Sequence, residues 1–303
     1  QEAAVALCKS LNLSVKFQAL NFTDRDSIPP WSRDYIGTLA EKGYMTGYPD
    51  GSFRPERFIS RAETITMLDK ALAGEKGEYY LPGVYGPEEG IQTIKQDLVI
   101  NVPGITLRNM IIEGNLYLGE GIAEGDITLE NVTVKGSTIV NGGANIKLID
   151  FTCKEVEVNK GARNAVIAIS GETKVKKLNL NSGVHLKGNG IDEVTVLNDD
   201  KVILEGNFAN VNIGGNGNLE VLKNTTIDNL RINKESDVEL KEGSRVKELT
   251  VNAPARVSGK GIIDRARINS NGAVLETAPK SYTLATGITA EIAGKKVRAS
   301  RSS

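Results

Sequence analysis

This chain is poor in the residues that most often carry chemistry. Its 303 residues include one histidine, two cysteines and one tryptophan, and only 5% are aromatic. A solitary histidine, His185, makes no metal site of its own. Cys8 and Cys153 lie far apart, in different regions of the sequence. They read as two small buried hydrophobes, since spacing alone does not bring them within disulfide reach; cysteine usage therefore fixes no compartment. No apolar run approaches the roughly 18–20 residues that a membrane-spanning helix needs. An excess of one charge is missing too. Lysine and arginine number 37 against 38 acids, for a net charge of −1, which speaks against a nucleic-acid groove or a polybasic membrane anchor.

What the chain has in plenty is repetition. Segments beginning at Val175, Ile191, Phe208, Ile227, Val246 and Ile263 share one pattern. An apolar or small residue returns three places on (Leu178, Val194, Val211, Leu230, Leu249, Ala266) and five places on (Leu180, Val196, Ile213, Ile232, Val251, Ile268). A further one returns eleven places on, at Leu186, Val202, Leu219, Val238, Val257 and Val274. Earlier copies are longer: Ile105 to Asn109 recurs as Ile127 to Asn131, with starts near Ile91, Ile112, Val134 and Cys153. A period of roughly 16–22 residues signals a solenoid, in which no coil buries its apolar side until its neighbours stack on it.

Each coil alternates apolar and polar residues over short runs bounded by Gly, Asn and Asp, the pattern of strands and turns. About ten coils are expected over 91–276, forming a rod on the order of 50 Å long. Position six of the coil is asparagine at Asn159, Asn181, Asn233, Asn252 and Asn269, with Asn141 and Asn198 one place late. Asparagine tolerates left-handed turns and can both donate and accept, so stacked amides can bond along the rod and satisfy buried turn groups. The pattern resembles the asparagine ladder of right-handed parallel β-helices of the pectate-lyase type. The fold class expected is therefore mainly β: a right-handed parallel β-helix behind a small helical region. Open solenoid ends need covering. The helices or the linker can serve one end, and strands in 277–303 with a Gly294-Lys295 turn can cap the other or lead into a further domain.

The first eighty residues use a different grammar. Gln1 to Leu13 reads as a helix with Ala4, Leu7, Cys8 and Leu11 on one face. Pro29-Pro30 opens a second helix, Trp31 to Lys42, with a Trp31, Tyr35, Ile36, Leu39, Ala40 stripe and Gly43 as its stop. Tyr48-Pro49-Asp50-Gly51 is a tight turn, and Ser60-Arg61-Ala62-Glu63 is a capping box before a helix running to about Leu72. In order, Phe22-x-Asp24, Trp31, the Ile36 to Gly43 helix, Gly47 to Pro55 and Ile59 to Glu63 resemble the S-layer homology (SLH) motif. Gln1-Glu2-Ala3 aligns with Ala62-Glu63-Thr64, as if residues 1–13 were the end of a preceding motif and Gln1 a processing boundary. The complete motif spans 20–73, and a Gly, Pro and Glu-rich linker follows over 74–90.

The resemblance implies a bacterial extracellular protein of the cell wall or S-layer. In that family three motifs commonly pack together and bind pyruvylated secondary cell-wall polysaccharide. Carried over by position, Arg61 would face the anionic group, and Trp31 and Tyr48 would offer ring faces to sugar. From its place at the head of the stripe Trp31 reads as core before ligand platform, Tyr48 reads equally as a brace for its turn, and Asp24 and Asp50 read as cap and turn residues. One motif and a fragment are present rather than three.

Right-handed β-helices also host polysaccharide lyases and hydrolases, which need placed carboxylates or a base with charge-neutralising partners. The candidates here, Asp199-Asp200 and Asp126 with Glu130, read as turn and outer-face residues. Arg231-Ile232-Asn233 is only faintly similar to a galacturonase substrate arginine, without the accompanying acids. The expectation is a non-catalytic surface protein without cofactor or metal, its β-helix a rigid displayed or glycan-contacting rod. The alternatives are a surface lyase or hydrolase and a self-assembling S-layer subunit.

Overall fold

A computed structural model describes residues 1–11, 13–16, 20–76, 78–79, 81–159 and 165–299. The chain divides into two compact units, Gln1–Glu78 and Tyr79–Ser303.

The first unit holds three helices: α1 (Glu2–Ser10), α2 (Pro30–Glu41) and α3 (Arg61–Lys76). α1 stops three residues short of the expected Leu13; Asn12 lies outside the described residues. Pro30 sits in the first turn of α2, where its missing N–H costs nothing. Gly43, at φ 72°, takes the left-handed turn after that helix. Ala4, Leu7 and Cys8 of α1 share a core with Ile36 and Leu39 of α2, Ile28, Tyr44, Phe53 and Met67. Trp31 is not part of it, being 53% exposed. It stands five residues before Ile36, about 140° round the helix from it. Ser32, four residues before Ile36, takes the inward place instead and is fully buried.

The second unit is a parallel β-solenoid of about 11 coils, one more than the repeat count gave. Its strands form parallel ladders from Gly83–Tyr85, paired with Ile105–Leu107, to Ala273–Leu275, paired with Ala290–Ile292. The array therefore reaches into both flanks. The stretch read as linker carries a three-residue strand, too short to display alternation. Inside one coil, Ile105 and Leu107, Met110 and Ile112, then Leu116 and Leu118 all point into a single continuous core. Their intervening neighbours face out, as a period of two requires.

The sequence columns survive as structural columns. Val175 pairs with Ile191, Leu178 with Val194 and Leu180 with Val196; Phe208, Ile227, Val246 and Ile263 follow one another rung by rung. The column eleven places on holds from Val202 through Leu219 and Val238 to Val257. At its ends it slips: Leu186 pairs with Leu204, and Val257 with Leu275 rather than Val274. Turn length varies between coils, and a fixed offset cannot follow it. At about 4.8 Å per rung the solenoid is on the order of 50 Å long.

The asparagine ladder exists, but in two pieces. Asn181 Nδ2 donates to Asn159 Oδ1 (2.6 Å), and Asn159 Nδ2 to Asn141 Oδ1 (3.3 Å). Asn269 donates to Asn252 and Asn252 to Asn233, both at 2.8 Å. Between the pieces, Asn198 turns inward and donates to the carbonyls of Leu180 (2.9 Å) and Ser182 (3.0 Å). The ladder proper lies at the surface, with Asn159, Asn181, Asn233, Asn252 and Asn269 exposed; buried turn groups are served by Asn198 alone of the seven. A second stack marks another corner, where Asn109, Asn131 and Asp150 take φ of 52°, 50° and 51°. There Asn131 Nδ2 donates to Asn109 Oδ1 at 2.7 Å.

Both ends of the core are covered. Tyr79 and Tyr85 stack at 3.9 Å between ring centroids and pack against one end. At the other, Leu284, Ile288 and Val297 pack on the core, and Lys295–Arg298 returns antiparallel along Thr289–Ile292. The turn between those strands is Ala293-Gly294, at φ 49° and 74°, one residue before the expected position. Ser300 to Ser303 lie outside the described residues.

Candidate functional site

The first unit holds a cleft of about 670 Å³ lined by the Tyr44–Tyr48 and Phe53–Ile59 segments with the starts of α1 and α3. Its floor is a braced turn. Tyr48 N–H donates to the Ser52 carbonyl and Gly51 N–H to that of Tyr48, both at 2.8 Å. Asp50 accepts from Ser52 N–H (3.0 Å), the Ser52 hydroxyl (2.6 Å) and Arg54 Nη2 (2.6 Å). These bonds, led by the Ser52 hydroxyl, hold its carboxyl well below the usual range. A side chain at Gly47 would meet the Phe22 ring and the Ser52 carbonyl at 2.8 Å, so only glycine fits there. Asp24, read as a local cap, reaches across the chain: its two oxygens accept from Phe53 N–H and Arg54 N–H, each at 2.7 Å.

Above this turn stands a cluster of two arginines, a tyrosine and a glutamate. The guanidinium carbons of Arg54 and Arg57 lie 4.4 and 4.8 Å from the centroid of the Tyr48 ring, within cation–π range. Tyr48 hydroxyl donates to Glu63 Oε1 at 2.9 Å, and Arg57 Nη1 stands 3.4 Å from the same oxygen. Glu63 also closes the capping box: Ser60 N–H donates to Oε2 (2.8 Å) and Glu63 N–H to Ser60 Oγ (3.2 Å). The Ser60 bonds, then the Tyr48 bond, bring the Glu63 carboxyl down to about 2. Desolvation and the adjoining Glu63 push the Tyr48 hydroxyl up. At neutral pH the cluster thus carries ionised Asp50 and Glu63, a protonated phenol and two guanidiniums with donors to spare.

Of the three residues expected to form the site, Tyr48 alone lines this cleft. Its ring backs the two arginines. Arg61 is the exposed first residue of α3, and its successors Ala62 and Glu63 reach the cleft while it does not. Trp31 stands exposed on α2, also outside the lining. Arg54 and Arg57 were missed by sequence reading. Arg54 lies inside the matched Gly47 to Pro55 stretch, four residues after Asp50, and that pairing was the available signal. α3 also keeps an open apolar face: Ile65 is 67% and Leu68 40% exposed. The internal alignment puts these opposite Ala4 and Leu7 of α1, which are buried with α2.

The solenoid's candidates sit in turns and on the outer face. Asp199 Oδ1 accepts from Asn216 N–H of the next coil at 3.1 Å, and Asp126 Oδ1 from Asn145 Nδ2 of the next coil at 2.8 Å. Glu130 is an exposed outer-face residue of the same strand as Asp126. His185 is not solitary: its Nε2 lies 3.0 Å from Glu205 Oε2, which Lys187 also approaches at 3.4 Å. Many outer charges pair across rungs in this way, as Lys201 and Lys241 do on Glu220 at 2.5 and 3.0 Å. Among the described residues no three His, Cys, Asp or Glu side chains are grouped to hold a metal ion. Cys8 and Cys153 are buried free thiols, and desolvation raises both. No described helix is long and apolar enough to cross a membrane.

The family model that matches is the S-layer homology domain, over residues 21–65. The cellulosome-anchoring protein of Acetivibrio thermocellus is 48% identical over 42 residues, 14% of this chain and 9% of that protein. Cell surface glycoprotein 1 of the same organism is 38% identical over 47 residues, 16% of this chain and 2% of that protein. Outer membrane protein alpha of Thermotoga maritima is 38% identical over 76 residues, covering 22% and 19% respectively. The chain thus spans under a fifth of the length of each of these relatives. No solved structure matches. Residues 21–65 are an S-layer homology domain, standing ahead of a parallel β-solenoid.

Proposed function

We propose that this chain is a non-catalytic protein of the bacterial cell wall or S-layer, held there by its S-layer homology domain on pyruvylated secondary cell-wall polysaccharide. The observation that carries the reading is the cleft with Arg54 and Arg57 laid on Tyr48. A pyruvyl ketal presents a carboxylate on a sugar. A guanidinium has the fork geometry to receive that carboxylate, and the cleft has volume for the sugar beside it. Arg61, at the start of the helix whose next turn lines the cleft, is a further cation for the same ligand. The names of the relatives agree with surface attachment. The solenoid then serves as a stiff displayed body, a role supported by its continuous core and by outer charges that largely neutralise one another.

The test is co-sedimentation of the protein with purified cell walls, comparing wild type with Arg57→Ala, Arg54→Ala and Arg61→Ala. Loss of binding in Arg57→Ala, with the far-ultraviolet spectrum unchanged, is expected. Full binding by all three variants refutes the assignment of these cations.

A further inference from the structure

One tripeptide of the solenoid occurs twice, and its arginines have no role in the packing or the ladder described above. Arg231-Ile232-Asn233 recurs as Arg267-Ile268-Asn269, with Thr250-Val251-Asn252 in the rung between. Ile232 and Ile268 point into the core and are fully buried, so the flanking arginines and asparagines of both copies face outward together. Arg231, Thr250 and Arg267 form one column. The ladder Asn233, Asn252, Asn269 forms the next, two residues along each strand.

These two stand out from the other arginines of the same coils. Arg245, Arg256 and Arg265 are each engaged by a carboxylate, of Asp264, Glu276 and Glu248 respectively. Among the described residues Arg231 and Arg267 have no such partner and are exposed. Earlier in their own column come Asn212, Thr195, Asn179 and then Glu157, four rungs from Arg231 and bonded by Asn181. The nearest acid in the adjoining column, Glu248, is held by Arg265. The result is two unneutralised guanidiniums two rungs apart, roughly 10 Å along the axis, on a flat strip of amides and hydroxyls.

We propose that this strip binds an extended acidic polysaccharide lying along the solenoid axis, with its carboxylates on Arg231 and Arg267. A single exposed ion contact is weak. A ligand that meets both at once gains by effective concentration, which favours a polymer over a small anion. The bordering amides retain one Nδ2 proton and a carbonyl lone pair beyond their ladder bonds, suiting hydroxyl-rich sugar. Single-stranded nucleic acid is a poorer match because the column itself, Arg231, Thr250, Arg267 and Thr283, carries no ring for bases to stack on, and the one exposed ring in the next rung, Tyr282, pairs in the column of Ala266. This inference concerns the second unit and is independent of wall anchoring by the first.

Polygalacturonate is the probe, with uncharged dextran and single-stranded DNA beside it, measured on the full chain at low ionic strength by affinity electrophoresis or interferometry. Polygalacturonate should bind and dextran should not. Arg231→Ala and Arg267→Ala should each weaken binding about tenfold, and the double variant little further, because one remaining contact gives no bivalency. Arg57→Ala should lose the wall yet keep the part of polygalacturonate binding that Arg231→Ala and Arg267→Ala remove. Unchanged binding in the double variant, loss in Arg57→Ala alone, stronger retention of DNA than of polygalacturonate, or no retention of polygalacturonate overturns the proposal.

Discussion

Leu230 offers the sharpest test of the stacking account. It is fully buried, with Val211 in the rung before it and Leu249 in the rung after. Leu230→Ala removes three carbons, which at about 0.8 kcal/mol each is roughly 2.4 kcal/mol of transfer free energy. The cavity adds to this. In a globular core the surroundings relax into such a void, but here backbone ladders hold the rungs about 4.8 Å apart. The loss should therefore be about 3–4 kcal/mol, within the usual range for such truncations. For a unit of this size that corresponds to a fall in Tm of roughly 6–16 °C. Arg231, the next residue, points outward and is exposed; Arg231→Ala should cost at most about 0.5 kcal/mol. Thermal and urea unfolding followed by circular dichroism supply both numbers. A Leu230→Ala loss under about 1 kcal/mol, or equal losses at the two positions, refutes the inward and outward assignment of this strand.

Three further outcomes follow from the geometry. Asn198→Ala should cost about 1–3 kcal/mol, because it strips partners from buried carbonyls, whereas Asn252→Ala at the exposed ladder should cost under about 1 kcal/mol; urea midpoints of the two variants decide it. Gly206, at φ 139°, leaves no room for a side chain, since a Cβ would stand 2.1 Å from the Gly188 carbonyl oxygen. Gly206→Ala should lose at least about 2 kcal/mol, and a neutral result would contradict the tight corner. Glu63 titrates near 2 in the folded chain, against about 4.3 in an unfolded one. Its stabilising contribution is complete above that unfolded value and disappears as pH falls through about 2. Protection of the Ser60 and Glu63 amides, taken as the exchange rate relative to the intrinsic rate at the same pH, should fall across that window in wild type and stay constant in Glu63→Gln.

Sequence alone carried the solenoid further than it carried the site, for a physical reason. Inward positions such as Leu178, Val194 and Val211 must be apolar in every coil, so stacking writes itself into the chain as a column. Turn length is under weaker constraint, and there the columns slipped, at Leu186 and at Val274. The ends were hidden for a related reason: Gly83–Tyr85 is too short to alternate visibly. The asparagines were legible as a stack but not as a surface one, since periodicity says nothing about which side of a turn the amide takes. At the first unit, the capping box and the Tyr48 turn were readable because their partners are local. Asp24 bridging to Phe53 and Arg54, and Arg57 lying on Tyr48, depend on how distant segments meet. Trp31 was misplaced in the stripe by one helical position, which Ser32 occupies.

The most direct measurement of the central claim is the affinity of the full chain for purified wall polysaccharide before and after removal of its pyruvyl ketals, with Arg57→Ala alongside. The account predicts that wild type binds the pyruvylated polymer, loses at least about tenfold in affinity when the ketals are removed, and that Arg57→Ala shows the same weak binding to both. Equal affinity of wild type for the two polymers would contradict it.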